Sequence, residues 1–497
     1  MAIASRRHRR ARAQTSPAKF QILDELGGKC DYYGVGNKDT ILMLSLTPEL
    51  ITLLRSLDKN AYAPAQREFL KRAPKYALHI LTDGITPQAL QRAHTPTFDA
   101  LAQRGVSAVH ARGVFPTITG PSHTSMLTGA RVGTHGFLYP KMLDAFGNRL
   151  LEFPEGLMRA ETIAEAWRPR GITTADIGSR FLRGADMLQT EGVFGEDYVD
   201  ITNRAIAAIN EWQPHYLHVV FYVADSAGHL YGPDADETLW AIQQLDEMTA
   251  RLLNAYADKN LDGELVIVVN ADHGMVPVNE TIPHSFAENA GALPHGRVAL
   301  SPRGFDDATF EALMNDPRVD DIFARDELEV LGAYGPRWGE NVLQLREGWM
   351  FETARPLAGY HGAWCETDRH IPMLWSGAGI RAGAQLDACE LIDIASTLSI
   401  LLGGAVPENN QGRILWEALD TQGETRNVGF AESRNYVDLL LQRDSALEEL
   451  KQLKRERAGG AMYRSEYDAE RAEILLRARM NMTAMEEEKK RLEISDF

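Results

Sequence analysis

Short apolar runs at residues 76–81, 106–109, 173–177, 217–223 and 265–269 alternate with stretches of helical periodicity. The helical stretches lie at 97–103 (closed by Gly105), 161–167, 202–212 and 236–256. Strands that alternate with helices predict an α/β fold: a mostly parallel central sheet with helices on both faces. In such sheets ligands collect at the carboxyl ends of the strands. The carboxyl ends are where this chain places its isolated Asp and His residues. Asp83-Gly84 follows the first run, Asp225 to His229 the fourth, and Asp272-His273-Gly274-Met275 the fifth.

The alternation defines a domain over residues 75–432. It is interrupted at about 276–358 by a segment rich in Gly, Pro and charge, read as an inserted cap near the site. The rhythm returns at His361, with a strand at 372–376 and a helix at 392–402. From 433 to 497 the chain is helical. Leu440, Leu447, Leu450 and Leu453 recur at helical spacing, Gly459-Gly460 breaks the run, and Ile474, Ala478, Met482 and Met485 resume it. This C-terminal helical hairpin is expected to pack on the domain or on a second subunit, making a homo-oligomer. Residues 1–74 form an N-terminal extension with a strand at 40–46 and a helix at 47–57.

A net charge of -17 over 497 residues argues against a nucleic-acid polymer as partner. A small phosphate substrate is compatible with that charge, because bound cations invert the local field. Three cysteines, Cys30, Cys365 and Cys389, make no disulfide framework and fit a reducing compartment. No apolar run approaches the roughly 20 residues a membrane span needs. Arg6, Arg7, Arg9, Arg10 and Arg12 are followed by small polar residues rather than by a secretory apolar stretch. The first 18 residues or so read as a solvated tail, and the expected location is cytoplasmic, with organelle targeting as the alternative.

The stretch from Val114 to His123 reads Val-Phe-Pro-Thr-Ile-Thr-Gly-Pro-Ser-His. It puts the hydroxyl of Thr119 in a Pro/Gly turn that opens a helix to Leu127, where the positive end of the helix favours an anion. Asp and His are good ligands for zinc and similar divalent ions. Taken singly, each motif has an ordinary explanation as a turn, a polar loop or a buried histidine. Their joint occurrence at strand ends, with His361-Gly362 after the cap, points to a metal-assisted site.

These motifs resemble the alkaline phosphatase superfamily, and most closely its type I phosphodiesterase/nucleotide pyrophosphatase branch. The similarity covers about residues 75–420. It rests on the early Asp-Gly, the Phe-Pro-Thr-x-Thr turn with Gly129 and His135-Gly136 behind it, Asp225-Ser-Ala-Gly-His229 with Tyr231-Gly232-Pro233, Asp272-His273-Gly274-Met275, the late His-Gly, and Val406-Pro407-Glu408 with Gly412-Arg413. The resemblance implies two divalent ions, zinc or alternatively manganese. Asp225, His229 and His361 would hold one; Asp83, Asp272, His273 and the Thr119 oxygen would hold the other. Thr119 would be the nucleophile, passing through a phospho-threonine that water then hydrolyses. Two cations about 4 Å apart stabilise both the attacking and the leaving oxygen of an in-line displacement. The Gly120 N–H is a candidate donor to a phosphoryl oxygen.

The implied activity is hydrolysis of phosphate esters, with phosphodiesters or nucleotide pyrophosphates as the favoured substrates. Residues 119–123 also overlay the sulfatase signature Cys-x-Pro-Ser-Arg, but lack its Cys and Arg, which excludes that route. The segment 136–140 carries no Asn of the kind the diesterase branch uses on a non-bridging oxygen. Arg180 and Arg183 fall where relatives that cleave monoesters or phosphonates carry basic residues, and Arg matches phosphate oxygens bidentately. A phosphomonoesterase or phosphonate hydrolase is therefore the alternative. A silent scaffold or regulatory member is the second alternative.

Overall fold

The computed structural model describes residues 62–138, 141–143, 150–152, 158–190, 197–335, 337–422 and 425–494. All of them belong to one compact unit, Leu46–Phe497. The expected tail, the 40–46 strand and the 47–57 helix lie outside the described residues.

Among the described residues the central sheet has nine strands. In chain order they are β1 (Tyr76–Thr82), β2 (Val106–Arg112), β3 (Thr174–Ile177), β4 (Met187–Gln189), β5 (Tyr216–Phe221), β6 (Leu265–Asn270), β7 (His370–Ile371), β8 (Met373–Gly377) and β9 (Ala384–Glu390). Their lateral order is β7-β2-β8-β6-β1-β5-β3-β4, with β9 pairing β2. The run β4-β3-β5-β1-β6 is parallel throughout. The 372–376 strand departs from this: β8 lies antiparallel to both β6 and β2, and β7 is antiparallel to β2. β8 follows a short connection from β7 rather than a helical crossover, so nothing obliges it to run parallel.

Every residue of β1, β5 and β6 is buried, the pattern of strands covered on both faces. The helices used below are α1 (Pro96–Arg104), α2 (Thr119–Thr128), α3 (Ile163–Trp167), α4 (Tyr198–Glu211), α5 (Val223–Tyr231), α6 (Asp236–Asp258), α7 (Glu366–Arg369), α8 (Asp393–Leu402), α9 (Thr425–Ala458) and α10 (Arg464–Ile494). The long α6 packs against α1, α4 and α5, while α8 packs against β1, α2 and α3. α2 is buried along its whole length, which fixes the turn at its start. Residues 62–74 also belong to this body. Leu70 bridges Thr421, and the Arg67 guanidinium donates to the carbonyls of Pro74 and Leu401 at 2.6 Å.

The cap is a folded layer rather than a loop. Leu293–His295, Val298–Ser301, Asn341–Leu345 and Val319–Ala324 pair into a four-stranded antiparallel sheet. Ile282, Ala299, Leu313, Ile322, Leu343 and Phe351 form its own core. The helical hairpin, α9 against α10, packs on this same chain. Leu450 and Leu453 share an apolar cluster with Trp338 of the cap and with Phe115 of the turn before α2. Lys454 is buried between Asp321 and Glu327 of the cap, at 2.6 and 2.7 Å. Glu390 at the end of β9 faces Arg131 at 2.7 Å and Arg443 of α9 at 3.4 Å. None of the described helices is long and apolar enough to cross a membrane.

Candidate metal-assisted active site

The polar residues expected at strand ends converge at one place. Asp83 follows β1 and Asp272-His273 follow β6, two neighbouring parallel strands whose register brings their ends together. Gly84 has φ +75, and a Cβ there would lie 2.8 Å from Asp225 Oδ1. Only glycine lets the turn after β1 come that close to α5.

Asp225 and His229, expected just past a strand end, lie on a helix instead. β5 ends at Phe221, and both residues lie in the first two turns of α5. Four residues apart on a helix, they share a face, with His229 Nε2 3.5 Å from Asp225 Oδ2. His361 comes in from the segment after the cap, its Nε2 3.7 Å from Asp225 Oδ1 and 3.3 Å from His229 Nε2.

The second half is deeper. His273 Nε2 lies 3.3 Å from Asp272 Oδ2, 3.4 Å from Asp83 Oδ1 and 3.3 Å from the Thr119 hydroxyl oxygen. The His273 and His361 rings stack at 3.6 Å between centroids and join the two halves. Asp83, Asp272 and His273 are fully buried, whereas the side chains of Asp225 and His229 keep 16% and 20% exposure, so the site opens on the α5 side.

The hydrogen-bond pattern fixes how these groups are used. His229 Nδ1 donates to the Gly359 carbonyl at 2.8 Å, His273 Nδ1 to the Gly274 carbonyl at 2.9 Å, and His361 Nδ1 to the Thr117 carbonyl at 2.8 Å. A carbonyl can only accept, so each Nδ1 carries a hydrogen and each neutral ring turns the Nε2 lone pair inward. Facing them, both oxygens of Asp83, Oδ1 of Asp225 and Oδ2 of Asp272 are buried with no hydrogen-bond partner. Lone pairs pointed at lone pairs in a buried space fit divalent cations and little else. Burial first, then the charges of Asp272 and Asp225, push the Asp83 carboxyl well above its ordinary range. Burial, with His273 and His229 beside it, holds His361 well below the usual imidazole value, hence neutral. Nitrogen and oxygen donors of this kind suit zinc, and carboxylates also accept manganese. Two triads, Asp83/Asp272/His273 and Asp225/His273/His361, have donor atoms mutually close enough for one ion.

Thr119 opens α2 and is 8% exposed. Its neighbour Gly120 has no room for a side chain: a Cβ would lie 2.7 Å from the Phe137 ring. The N–H groups of Thr119 and Gly120, which open α2, have no acceptor within the helix.

Three residues were missed or misjudged on sequence. His123 is fully buried, with Nε2 3.7 Å from Asp83 Oδ2 and 3.6 Å from Asp272 Oδ2 and neither ring nitrogen hydrogen-bonded. Its spacing of four from Thr119 on one helix was the available signal. Thr117 ties the nucleophile turn to the His361 segment: its hydroxyl donates to the Ala363 carbonyl at 2.9 Å and accepts from Gly362 N–H at 3.0 Å. Arg183, a candidate phosphate contact on sequence, is engaged by other partners here. Its guanidinium forks onto Glu165 at 2.7 and 2.9 Å and also donates to the carbonyls of Met158 and Ala160. Arg180 is exposed, its guanidinium 5.7 Å from the Phe181 ring centroid. Phe181 in turn packs edge-on against His123 at 5.0 Å, so Arg180 lies at the rim behind the buried half.

Fold and site together define a member of the alkaline phosphatase superfamily. Residues 77–364 match the type I phosphodiesterase/nucleotide pyrophosphatase family, and the chain belongs to it. It is 28% identical to human ectonucleotide pyrophosphatase/phosphodiesterase family member 1 over 199 residues, 36% of this chain and 21% of that protein. The match to that relative therefore spans about a fifth of its length. Against human family member 7 the identity is 26% over 409 residues, 74% of this chain and 87% of that protein. An inactive form of murine ectonucleotide pyrophosphatase/phosphodiesterase 5 in complex with AMP shares the fold, with TM-score 0.59, 21% identity, and coverage of 72% of this chain and 99% of that one.

Proposed function

We propose that this protein is a two-metal-dependent phosphoric ester hydrolase whose nucleophile is Thr119, acting on phosphodiesters or nucleotide pyrophosphate bonds. The observation that carries this is the convergence of three Nε2 lone pairs and four unpartnered carboxylate oxygens beside the Thr119 hydroxyl. Family membership and the AMP-bound neighbour of like fold support the choice of a phosphate substrate.

Asp225, His229 and His361 would hold one ion, and Asp83, Asp272, His273 and the Thr119 oxygen the other. Bound there, the ions supply Lewis-acid stabilisation to the entering and leaving oxygens and lower the pKa of the hydroxyl. The chain's own part is positional. α2 presents the Thr119 oxygen on a fully buried backbone, so attack on phosphorus needs little reorganisation. The Gly120 N–H at the start of α2 would donate to a non-bridging oxygen as negative charge grows on it. Thr117 keeps His361 and the nucleophile turn in one register through both its carbonyl and its hydroxyl. His123, wedged against Asp83 and Asp272, would keep the two carboxylates apart and oriented. The phosphoryl group, still carrying its other ester, would transfer to the Thr119 oxygen as the P–O bond to the leaving alcohol or nucleotide breaks; water would then attack phosphorus, breaking the P–O bond to Thr119 and releasing the product ester. Among the described residues Cys365 and Cys389 are free thiols, which is compatible with the expected reducing setting.

The test pairs Thr119→Ala with wild type on bis(p-nitrophenyl) phosphate, p-nitrophenyl phosphate and a nucleotide pyrophosphate. The variant should bind as much zinc per chain as wild type yet lose turnover by at least about a thousandfold. Wild type should prefer the diester over the monoester. Retained turnover in the variant removes Thr119 from the chemistry, and a monoester preference moves the substrate class to the alternative.

A further inference from the structure

A second group of metal-type donors lies on the outer part of the sheet, in residues separate from the site above. We propose that His110, Glu366 and His370 form a peripheral divalent-metal site of the zinc class. Their donor atoms, one from each side chain, all lie within 4.8 Å of one another. The proposal does not rest on the two-metal reading.

Three elements supply the donors, which is how structural metal sites brace a fold. Glu366 opens α7 and His370 follows it, four residues on, at the start of β7. His110 comes from β2. Antiparallel pairing sets His370 opposite Arg112, two residues from His110 along the same strand. Residues two apart on a strand share a face, so His110 and His370 meet diagonally, with ring centroids 5.3 Å apart. The group is open to water: His110 is exposed and the Glu366 side chain is 57% exposed.

The orientation of His370 is the second and deciding observation. Its Nε2 lies 2.8 Å from the Val109 carbonyl oxygen and must donate to it. In the neutral ring Nδ1 then carries the lone pair, and Nδ1 faces Glu366 Oε1 at 3.7 Å. That is too long for a hydrogen bond. The same Oε1 accepts from Arg112 Nη1 at 2.5 Å, so an ion seated between Nδ1 and Oε1 would take over the charge that Arg112 now balances. Donors bound at about 2.0–2.2 Å in a tetrahedron sit roughly 3.4 Å apart, close to the separation seen. A histidine whose other nitrogen is tied to a backbone carbonyl is also how metal-bound imidazoles are usually held. Two imidazoles and one carboxylate select zinc-like ions over magnesium or calcium. The competitor is Arg112, whose guanidinium already pairs with the Glu366 carboxylate.

Such an ion would clamp α7 to β2. α7 also carries Asp368, which forms a buried pair with Arg297 at 2.8 Å and accepts from the Ala363 N–H two residues after His361. The peripheral ion would thereby stiffen the segment that delivers His361.

The experiment strips the full-length protein with chelator, reloads it with zinc, desalts it, and counts zinc per chain by mass spectrometry. Wild type, His110→Ala/His370→Ala and Asp225→Asn are compared, with cobalt(II) absorption as a second readout. The double variant should hold one zinc fewer than wild type, lose one set of cobalt bands and lose part of the zinc-dependent rise in Tm. Asp225→Asn should keep the peripheral ion. If the two-metal reading alone is wrong, wild type still exceeds the double variant by one. Equal zinc and unchanged cobalt bands in the double variant overturn the proposal and leave Arg112 as the sole partner of Glu366.

Discussion

Asp83→Asn should make the protein more stable in chelator and less stable than wild type in zinc. Asp83 is fully buried and neither carboxylate oxygen has a hydrogen-bond partner. An unsatisfied buried charge costs on the order of 1–3 kcal/mol or more. Asn keeps the shape and removes the charge, so the metal-free variant should recover about that amount. Unfolding entropy runs near 2.1 cal/mol/K per residue, which for 497 residues is about 1 kcal/mol/K. The gain in chelator is therefore about 1–3 °C in Tm. Zinc at a hundred times its dissociation constant stabilises wild type by about 2.7 kcal/mol, or roughly 3 °C. The variant loses a carboxylate ligand and most of that gain, so the two melting curves exchange order when zinc is added.

The same substitution has a pH signature. The folded-state pKa of Asp83 is raised, by burial first and then by Asp272 and Asp225. Between the unfolded value, near 3.9, and the raised folded value, the folded chain binds more protons than the unfolded one, so stability falls as pH rises. Metal-free wild type should thus gain on Asp83→Asn as pH is lowered, and the gap should close below the unfolded pKa. Differential scanning calorimetry in EDTA from pH 4 to pH 8 reads both effects. A variant less stable than wild type in EDTA at neutral pH, or a gap that does not narrow with acid, refutes the view that these carboxylates are held in readiness for a cation.

Other substitutions separate structural from chemical roles. Lys454→Met should destabilise by about 3–5 kcal/mol, because it leaves Asp321 buried without its cation and Glu327 with Arg471 alone; chemical denaturation measures it. Glu390 is pulled down to about 2: the cations Arg131 and Arg443 outweigh the upward push of burial. Its contribution is therefore present above about pH 4.5 and lost as pH falls toward 2, and hairpin-specific hydrogen exchange should rise over that window in wild type but not in Glu390→Gln. Arg183→Ala should lower Tm while leaving KM for phosphate esters within about twofold, since its guanidinium is engaged by Glu165 and two carbonyls. A KM rise beyond tenfold would return Arg183 to the substrate.

The site was legible because its residues violate the pattern around them. Asp83, Asp272 and His273 interrupt buried apolar runs at the rim of a parallel sheet, where side chains of that kind have no packing use. Asp225 and His229 were legible as a pair but not in their setting. The apolar run continues through Val223, and nothing in it marks that the strand stops at Phe221 and a helix begins. That helix is what puts the two donors on one face. Arg183 looked like a phosphate ligand because an arginine in a loop carries no local sign of a partner 18 residues upstream. The cap read as irregular because its strands are short and paired out of chain order, with 298–301 beside 341–345. The hairpin was plain from its period of leucines. Its docking on the cap depends on Asp321, Glu327 and Lys454, charges that on sequence alone look like solvated surface.

The electrostatics of the site also decide the order of events. Asp83, Asp225 and Asp272 share one pocket with imidazoles tied through Nδ1 to backbone carbonyls, and the chain as a whole carries -17. Two like charges about 5 Å apart at an effective dielectric near 20 repel by roughly 3 kcal/mol. A phosphate ester entering beside three carboxylates would meet several kcal/mol of repulsion, against which the start of α2 supplies only about 1–2 kcal/mol. The pocket therefore cannot be an anion site in its own right. On the proposed two-metal reading, cations would bind before the substrate, and affinity for phosphate should appear only as they load. This is also the physical objection to reading the chain as a silent scaffold. A protein with no use for the ions gains nothing from holding four unpartnered carboxylate oxygens in its interior, and any of the three Asp→Asn changes would relieve it.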